Sequence, residues 1–262
     1  MKIFRWMAVS FSLYSRIPMP RFEWKEEDMA HSLCFFPWVG AVTGALVVGV
    51  GLLFYLFGLP FWVSGILALL IPVLITGGFH LDGYMDTKDA LSSYAEKEKK
   101  LEILKDPHAG SFAVIGIVTR VIFFGLSLCL FMMWGNVRTL IALGILFVNA
   151  RALSGILALT LPKAKKDGML VNETKGKNTG DLVFLIIQLV LGIAGTAVAD
   201  FRLAIPEICF GGFFVLYYKS KMIKEFGGVT GDTAGYFVTV FESDFCILAA
   251  ILLGVLKFTH LL

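Results

Sequence analysis

The sequence predicts an all-α protein: a polytopic bundle of about seven transmembrane helices with its N-terminus in the cytoplasm. Three observations carry that reading. Of the 262 residues, 57% are hydrophobic, only 16% are charged and 24 are Phe, with a mean hydropathy of +0.80, a balance foreign to soluble domains. Apolar runs of about 17–25 residues, long enough to cross a bilayer as helices, follow one another along the chain. Lys and Arg collect in alternate connections between those runs, as the positive-inside rule requires of cytoplasmic loops.

The first segment runs from Met1-Lys-Ile-Phe-Arg5-Trp to Arg16-Ile-Pro-Met-Pro20 without a small-residue cleavage pattern, so it reads as an amphipathic helix lying on the membrane rather than a signal peptide. Spans are then predicted over about 35–57, 60–79, 110–134, 138–161, 181–200, 202–218 and 233–257. On one side lie Lys2, Arg5, Arg16, Arg21 and Lys25 before span one, and Lys88, Lys97, Lys99, Lys100 and Lys105 after span two. The same side receives Lys163, Lys165, Lys166, Lys175 and Lys177 after span four, and Lys219, Lys221 and Lys224 after span six. The opposite side has only Arg138, Arg202 and Lys257, while Arg120 and Arg151 fall inside spans. The cation-rich side is therefore expected to be cytoplasmic.

The longest polar segments, 80–109 and 162–180, are too short to fold as a separate domain. Residues 1–262 are expected to form a single membrane domain, with membrane lipid as an obligatory partner, and a homo-oligomer is compatible with the sequence. A net charge of +3 is too mild to imply a nucleic-acid partner. Cys34, Cys129, Cys209 and Cys246 lack the close spacing of metal or redox motifs and read as packing residues. Gly40-Ala-Val-Thr-Gly44 and Gly211-Gly212 are expected to let helices approach closely.

Chemistry concentrates where span two meets a charged segment, in Thr76-Gly-Gly-Phe-His80-Leu-Asp82-Gly-Tyr-Met-Asp86-Thr-Lys-Asp89-Ala-Leu91. On a helix, Asp86 and Asp89 would lie roughly 40° and −20° around the axis from Asp82, placing three carboxylates on one face. Like charges that close repel unless a cation sits between them. Mg²⁺ favours a few carboxylates together with substrate phosphates, so the pattern suggests a metal–diphosphate site, against the plainer reading of a solvated acidic patch. Asp82 and Asp86 are the expected metal ligands, and Asp89 a third ligand or the base that takes a proton from an attacking hydroxyl.

Other candidates surround this cluster. His80 is read as a hydrogen-bond donor to phosphate or a proton shuttle, or else as an interfacial histidine without a chemical role. Lys105 is expected to contact phosphate, and Asp106 either to reach the metal or to cap the next helix. The turn Gly227-Gly-Val-Thr230-Gly231-Asp232 opens span seven on the same side. There glycine and a helix start favour phosphate, and Asp232 is a further metal-ligand candidate. Arg120, Arg151, Glu207, Glu242 and Asp244 are ionisable residues within spans, which normally face a bundle interior or wet cavity. They imply either an Arg–Glu pair holding helices together or a polar cavity leading down from the metal site.

These residues resemble the adenosylcobinamide-GDP ribazoletransferase family, also called cobalamin synthase, across essentially the whole chain. Gly77-Gly-Phe-His80-Leu-Asp82-Gly-Tyr-Met-Asp86-Thr-Lys-Asp89 is similar to that family's Gly-Gly-x-His-Leu-Asp-Gly-x-x-Asp-Thr-x-Asp signature. Arg16-Ile-Pro-Met-Pro20, Phe36-Pro37-x-x-Gly40, Lys105-Asp106-Pro…Gly110, Arg151 and Gly231-Asp232 match in the family's order. The resemblance implies an integral membrane enzyme, expected in the cell inner membrane, and the cation asymmetry puts its aspartate cluster on the cytoplasmic side. With Mg²⁺ it would join adenosylcobinamide-GDP to α-ribazole or its 5′-phosphate, releasing GMP. The pattern departs at Ala90, usually Gly, and at Thr239, where the last helix usually carries an acid; Glu242 keeps the second acid of that helix.

Rival classes fit less well. A CDP-alcohol phosphotransferase should show Asp-Gly-x-x-Ala-Arg, whereas Asp82-Gly is followed by Tyr84, Met85, Asp86 and Thr87. A membrane prenyltransferase normally presents two Asp-rich motifs. A secondary transporter would more often show inverted repeats and broken helices near mid-membrane.

Overall fold

The computed structural model describes residues 2–175 and 179–259; Lys177, one of the loop cations, lies outside them. Every regular element among the described residues is helical, apart from an isolated bridge between Lys163 and Val229. The elements are α1 (Lys2–Tyr14), α2 (Glu26–Ala30), a 3₁₀ turn (Ser32–Phe35), α3 (Phe36–Leu56), α4 (Phe61–Thr76), α5 (Phe79–Ser92) and α6 (Lys97–Ile103). After them come α7 (Ser111–Trp134), α8 (Val137–Thr160), α9 (Met169–Glu173), α10 (Thr179–Phe226) and α11 (Gly231–Phe258).

Five of these helices are long and apolar enough to cross a membrane, or up to six if α4 and α5 together form one broken span. Large apolar side chains such as Leu56, Ile122, Leu191, Phe213 and Ile251 point outward and stay exposed, as expected where the solvent is hydrocarbon rather than water. The interior is packed from α8 and α11, where Phe147, Phe237, Phe241 and Leu253 are fully buried.

Close helix contacts are set by small residues. A Cβ on Gly44 would sit 2.0 Å from the Gly144 carbonyl oxygen, so α3 and α8 touch backbone to backbone. Gly65 likewise meets the Cys129 backbone, joining α4 to α7. The Gly211-Gly212 pair does not do this: Gly211 has only ordinary contact with Phe241, and Gly212 faces open space.

Two breaks shape the bundle. Gly77 and Gly78 adopt φ +69° and +85°, left-handed values that a side chain disfavours, and α5 leaves α4 at 91°. The second apolar helix therefore ends at Thr76, earlier than the predicted 60–79. Within the 48 residues of α10, Asp200 is non-helical, at φ −152° and ψ 99°. Asp181 near the start of α10 pairs with His31, and Glu225 near its end pairs with Lys100. Asn149 of α8 meets Gly192 and donates to Glu207 at 2.8 Å. The chain thus doubles back at Asp200, giving arms 179–199 and 201–226 of about 30 and about 39 Å.

One end of the bundle gathers the polar connections. Arg5 binds Asp28, Tyr14 donates to Glu173, the Arg16 amide donates to the Ile75 carbonyl, and Lys100 binds Glu225. Pro162 and Ala164 pair with Val229, fixing the α8–α9 connection beside the start of α11. These are the segments in which the sequence concentrates Lys and Arg.

Candidate active site

The bend at Gly77-Gly78 lays α5 along the start of α11. Their backbones touch at Gly83, where a Cβ would lie 2.7 Å from the Asp232 carbonyl, and Tyr84 stacks on Tyr236 with centroids 5.5 Å apart. Thr239, at the position where an acid was expected, instead donates to the His80 carbonyl at 3.1 Å and fastens the two helices. Asp82 and Asp86 are carried on α5 beside Asp232.

Asp82 is exposed and Asp86 half-buried. Beyond the bend, outside the apolar stretch, burial first and then the charges of Asp82, Asp232 and Asp89 push the Asp86 carboxyl up to about 6, with Lys165 opposing. Asp86 therefore sits in the field of its acidic neighbours.

The four expected ligands do not converge as a set. Among the described residues, no three acidic, His or Cys side chains are grouped to hold one ion. Asp89 is turned toward α7, accepting from the Gly110 N–H at 2.5 Å and the Ala113 N–H at 2.7 Å. It serves as the acceptor for that helix's orphan amides. Asp232 is drawn toward Lys165 at 3.2 Å and the Thr230 hydroxyl at 3.3 Å. Free carboxylates repel, and each takes the nearest donor.

Asp106 is not the cap of α7. It accepts from the His108 amide and ring within its own turn, and Asp89 performs the capping. Lys105 is exposed on the same connection.

Gly227 and Gly228 do not cradle a ligand: Gly227 takes φ +78° to make the turn, and Gly228 is pressed against the Pro162 carbonyl. Gly231 is the open position, where a Cβ would meet nothing within 4 Å. Thr230 caps α11 by accepting from the Thr233 N–H, while the first-turn amides of Gly231 and Asp232 have no intrahelical acceptor. They border a pocket of about 200 Å³ lined by Phe79, Lys165, Asp167, Gly168, Gly231 and Asp232. A helix N-terminus with an adjacent ammonium suits an anion such as phosphate. Lys165 was legible only as one loop cation among many, because its partner Asp232 is 67 positions away.

His80, Arg151 and Glu242 lie on the inner side of α5. His80 is buried between the Phe36 and Phe79 rings, and its Nε2 has no partner. Arg151 donates through Nη1 to Glu242 and to the Phe147 carbonyl, and Arg120 binds Ser243 and Asp244. Of the two alternatives for these residues, the Arg–Glu pair is present, and the cavity beside it is walled mainly by apolar side chains and reaches none of the four aspartates.

Fold and site together define a multi-pass helical membrane protein with a carboxylate-bearing helix set across a helix N-terminus at its polar end. The model of one family, described as cobalamin-5-phosphate synthase (CobS), matches residues 6–252. The chain belongs to that family. It is 36% identical over 240 residues to an adenosylcobinamide-GDP ribazoletransferase of Lachnoclostridium phytofermentans, covering 91% of this chain and 90% of the relative. Proteins of the same name from Clostridium botulinum, strain Alaska E43, and Pseudomonas savastanoi pv. phaseolicola are 30% and 31% identical. Those matches cover 92% and 94% of this chain, and 94% and 98% of the relatives. No solved structure matches the chain.

Proposed function

We propose that this enzyme transfers the adenosylcobinamide-phosphate group of adenosylcobinamide-GDP to α-ribazole or its 5′-phosphate. The products are GMP and adenosylcobalamin or its 5′-phosphate, completing the nucleotide loop of cobalamin. The observation that carries the reading is the family match across 6–252, and the Asp-bearing α5 against the α11 N-terminus supports it.

In this reading the helices cross the cell inner membrane seven times, α10 counting twice for its turn at Asp200 and α4 crossing without α5. The cation-rich connections meet at the end that carries Asp82, so that end, with the N-terminus, faces the cytoplasm. Residues 1–262 act as a single membrane domain.

Mg²⁺ is the proposed cofactor. It is commonly held by one or two carboxylates plus substrate phosphates, so Asp82 and Asp86 suffice without a three-ligand protein cage, and Asp232 lies alongside. When bound, the ion offsets charge on the diphosphate as its bridging bond breaks.

The chain's own residues bind and orient. Lys165 and the first-turn amides of α11 receive phosphate oxygens, and Lys105 approaches from the α6–α7 connection. A ribose hydroxyl of ribazole attacks the phosphorus attached to cobinamide, and GMP departs. Asp89, fixed by two amides, keeps a lone pair on each oxygen for the hydroxyl proton.

The test is product formation by purified protein supplied with adenosylcobinamide-GDP, α-ribazole and Mg²⁺. A cobamide should appear. No product under conditions where a relative is active would remove the proposal.

A further inference from the structure

Lys88 differs from the other cations of the polar end because its side chain is laid along a membrane span. It follows Asp86 by two positions on α5, which puts it roughly opposite that carboxylate around the helix. Its stem crosses α7 at Gly116, where a Cβ would lie 2.9 Å from Lys88 Cγ and 3.4 Å from its Cε. Asp89, the adjacent acid, is turned to the Gly110 and Ala113 amides. Half-buried, the Lys88 ammonium has no hydrogen-bond or ion-pair partner among the described residues.

Lys88 lines a groove of about 320 Å³ between α5, α7 and α11. Arg120 and Asp244 also line it, but they pair with each other at 2.6 Å. Their charges offset, and Lys88 leaves the groove with one net positive charge. The rest of the wall is apolar. Phe112, Ile115 and Phe123 on α7 are each more than half exposed, and on a span such side chains meet acyl chains rather than water. From Phe112 to Phe123 the groove follows α7 for about 16 Å, close to half of the roughly 30 Å hydrocarbon core. That is the depth of one leaflet.

We propose that this groove binds an anionic phospholipid of the leaflet on the cation-rich side. The lipid phosphate accepts from Lys88, and an acyl chain runs down α7 past Ile115 and Phe123. Basic pockets between membrane helices hold anionic headgroups in this way. A free phosphate ion would meet the charge but leave the apolar wall uncovered. The lipid braces α5 against α7, a second support for a helix that leaves α4 through the left-handed Gly77-Gly78 bend. The site lies away from the reacting carboxylates and takes no part in their chemistry.

The test is native mass spectrometry of the full chain in detergent, titrated with phosphatidylglycerol and, in parallel, with phosphatidylcholine of the same acyl chains. Wild type is compared with Lys88→Gln, Ile115→Trp and Lys219→Gln, the last an exposed cation at the same end of the bundle. Wild type and Lys219→Gln should retain phosphatidylglycerol about fivefold or more better than phosphatidylcholine. Lys88→Gln should lose that preference, and Ile115→Trp, which fills the groove, should weaken binding of both lipids. The two groove variants lie on different helices, so a folding failure in one leaves the other to decide. No preference in wild type, an unchanged preference in Lys88→Gln, or an equal loss in Lys219→Gln overturns the site. Displacement of the lipid by excess inorganic phosphate would make it a free-anion site, and a lipid-free dimer broken by Lys88→Gln would give the face to a second copy; either result also overturns the proposal.

Discussion

Arg151 on α8 and Glu242 on α11 form an ion pair inside the bundle, with the guanidinium fully buried and the carboxylate nearly so. Removing one partner of such a pair costs about 3–5 kcal/mol, because the other charge is left uncompensated, whereas an apolar pair of similar volume is often neutral. Arg151→Met should therefore sharply reduce the yield of folded protein, and Arg151→Met with Glu242→Leu should restore most of it. Thermal unfolding in detergent reads the stability.

Asp89 should answer to two measurements. It receives two amides at the start of α7, and losing such a cap costs about 0.5–2 kcal/mol. At about 2–4 °C per kcal/mol for a chain of this size, Asp89→Ala should lower the melting midpoint by a few degrees as well as impair turnover. Asp82→Asn, on an exposed side chain, should leave the midpoint in place.

Gly44 permits the contact between α3 and α8. Gly44→Leu forces the backbones apart, an overpacking that typically costs about 1–3 kcal/mol and occasionally more. The expected outcome is aggregation or a lower midpoint by size-exclusion chromatography and thermal unfolding. Gly212→Leu, with open space around the position, should behave as wild type.

Glu173 makes stability depend on pH. Burial is the main cause that lifts its carboxyl to about 7 from 4.5, with hydrogen bonds from Tyr14 and Ser32 opposing. Between those values the folded chain holds the proton more tightly than the unfolded chain, so stability falls as pH rises through about 4.5 to 7. Glu173→Gln keeps an oxygen to accept both hydroxyls and removes the titration. Its midpoint should exceed that of wild type at pH 8 and match it at pH 4.5. A variant that melts below wild type at pH 8 would contradict this account.

Much of the bundle was legible because hydropathy writes spans directly into composition. The boundaries 110–134 and 138–161 fall within a residue of α7 and α8, and a polar Asp200 divided two apolar runs just where α10 turns back. The 91° bend was less legible: Gly77-Gly78 announced a break, but its angle depends on α5 packing against α11. The Asp82–Asp86 face followed from helical spacing alone. What the spacing hid was long-range competition for each carboxylate, with Asp89 bonded to amides 21 and 24 positions away and Asp232 to Lys165 at 67. Local periodicity carries no information about such partners, and so the sequence suggests Asp106 for a capping role that Asp89 fills.

The most direct measurement is the rate of GMP release by Asp82→Asn and Asp86→Asn, at saturating adenosylcobinamide-GDP, α-ribazole and Mg²⁺, in preparations that melt like wild type. If these two carboxylates hold the ion on the diphosphate, both rates fall to background. Near-normal release in both variants would contradict the account.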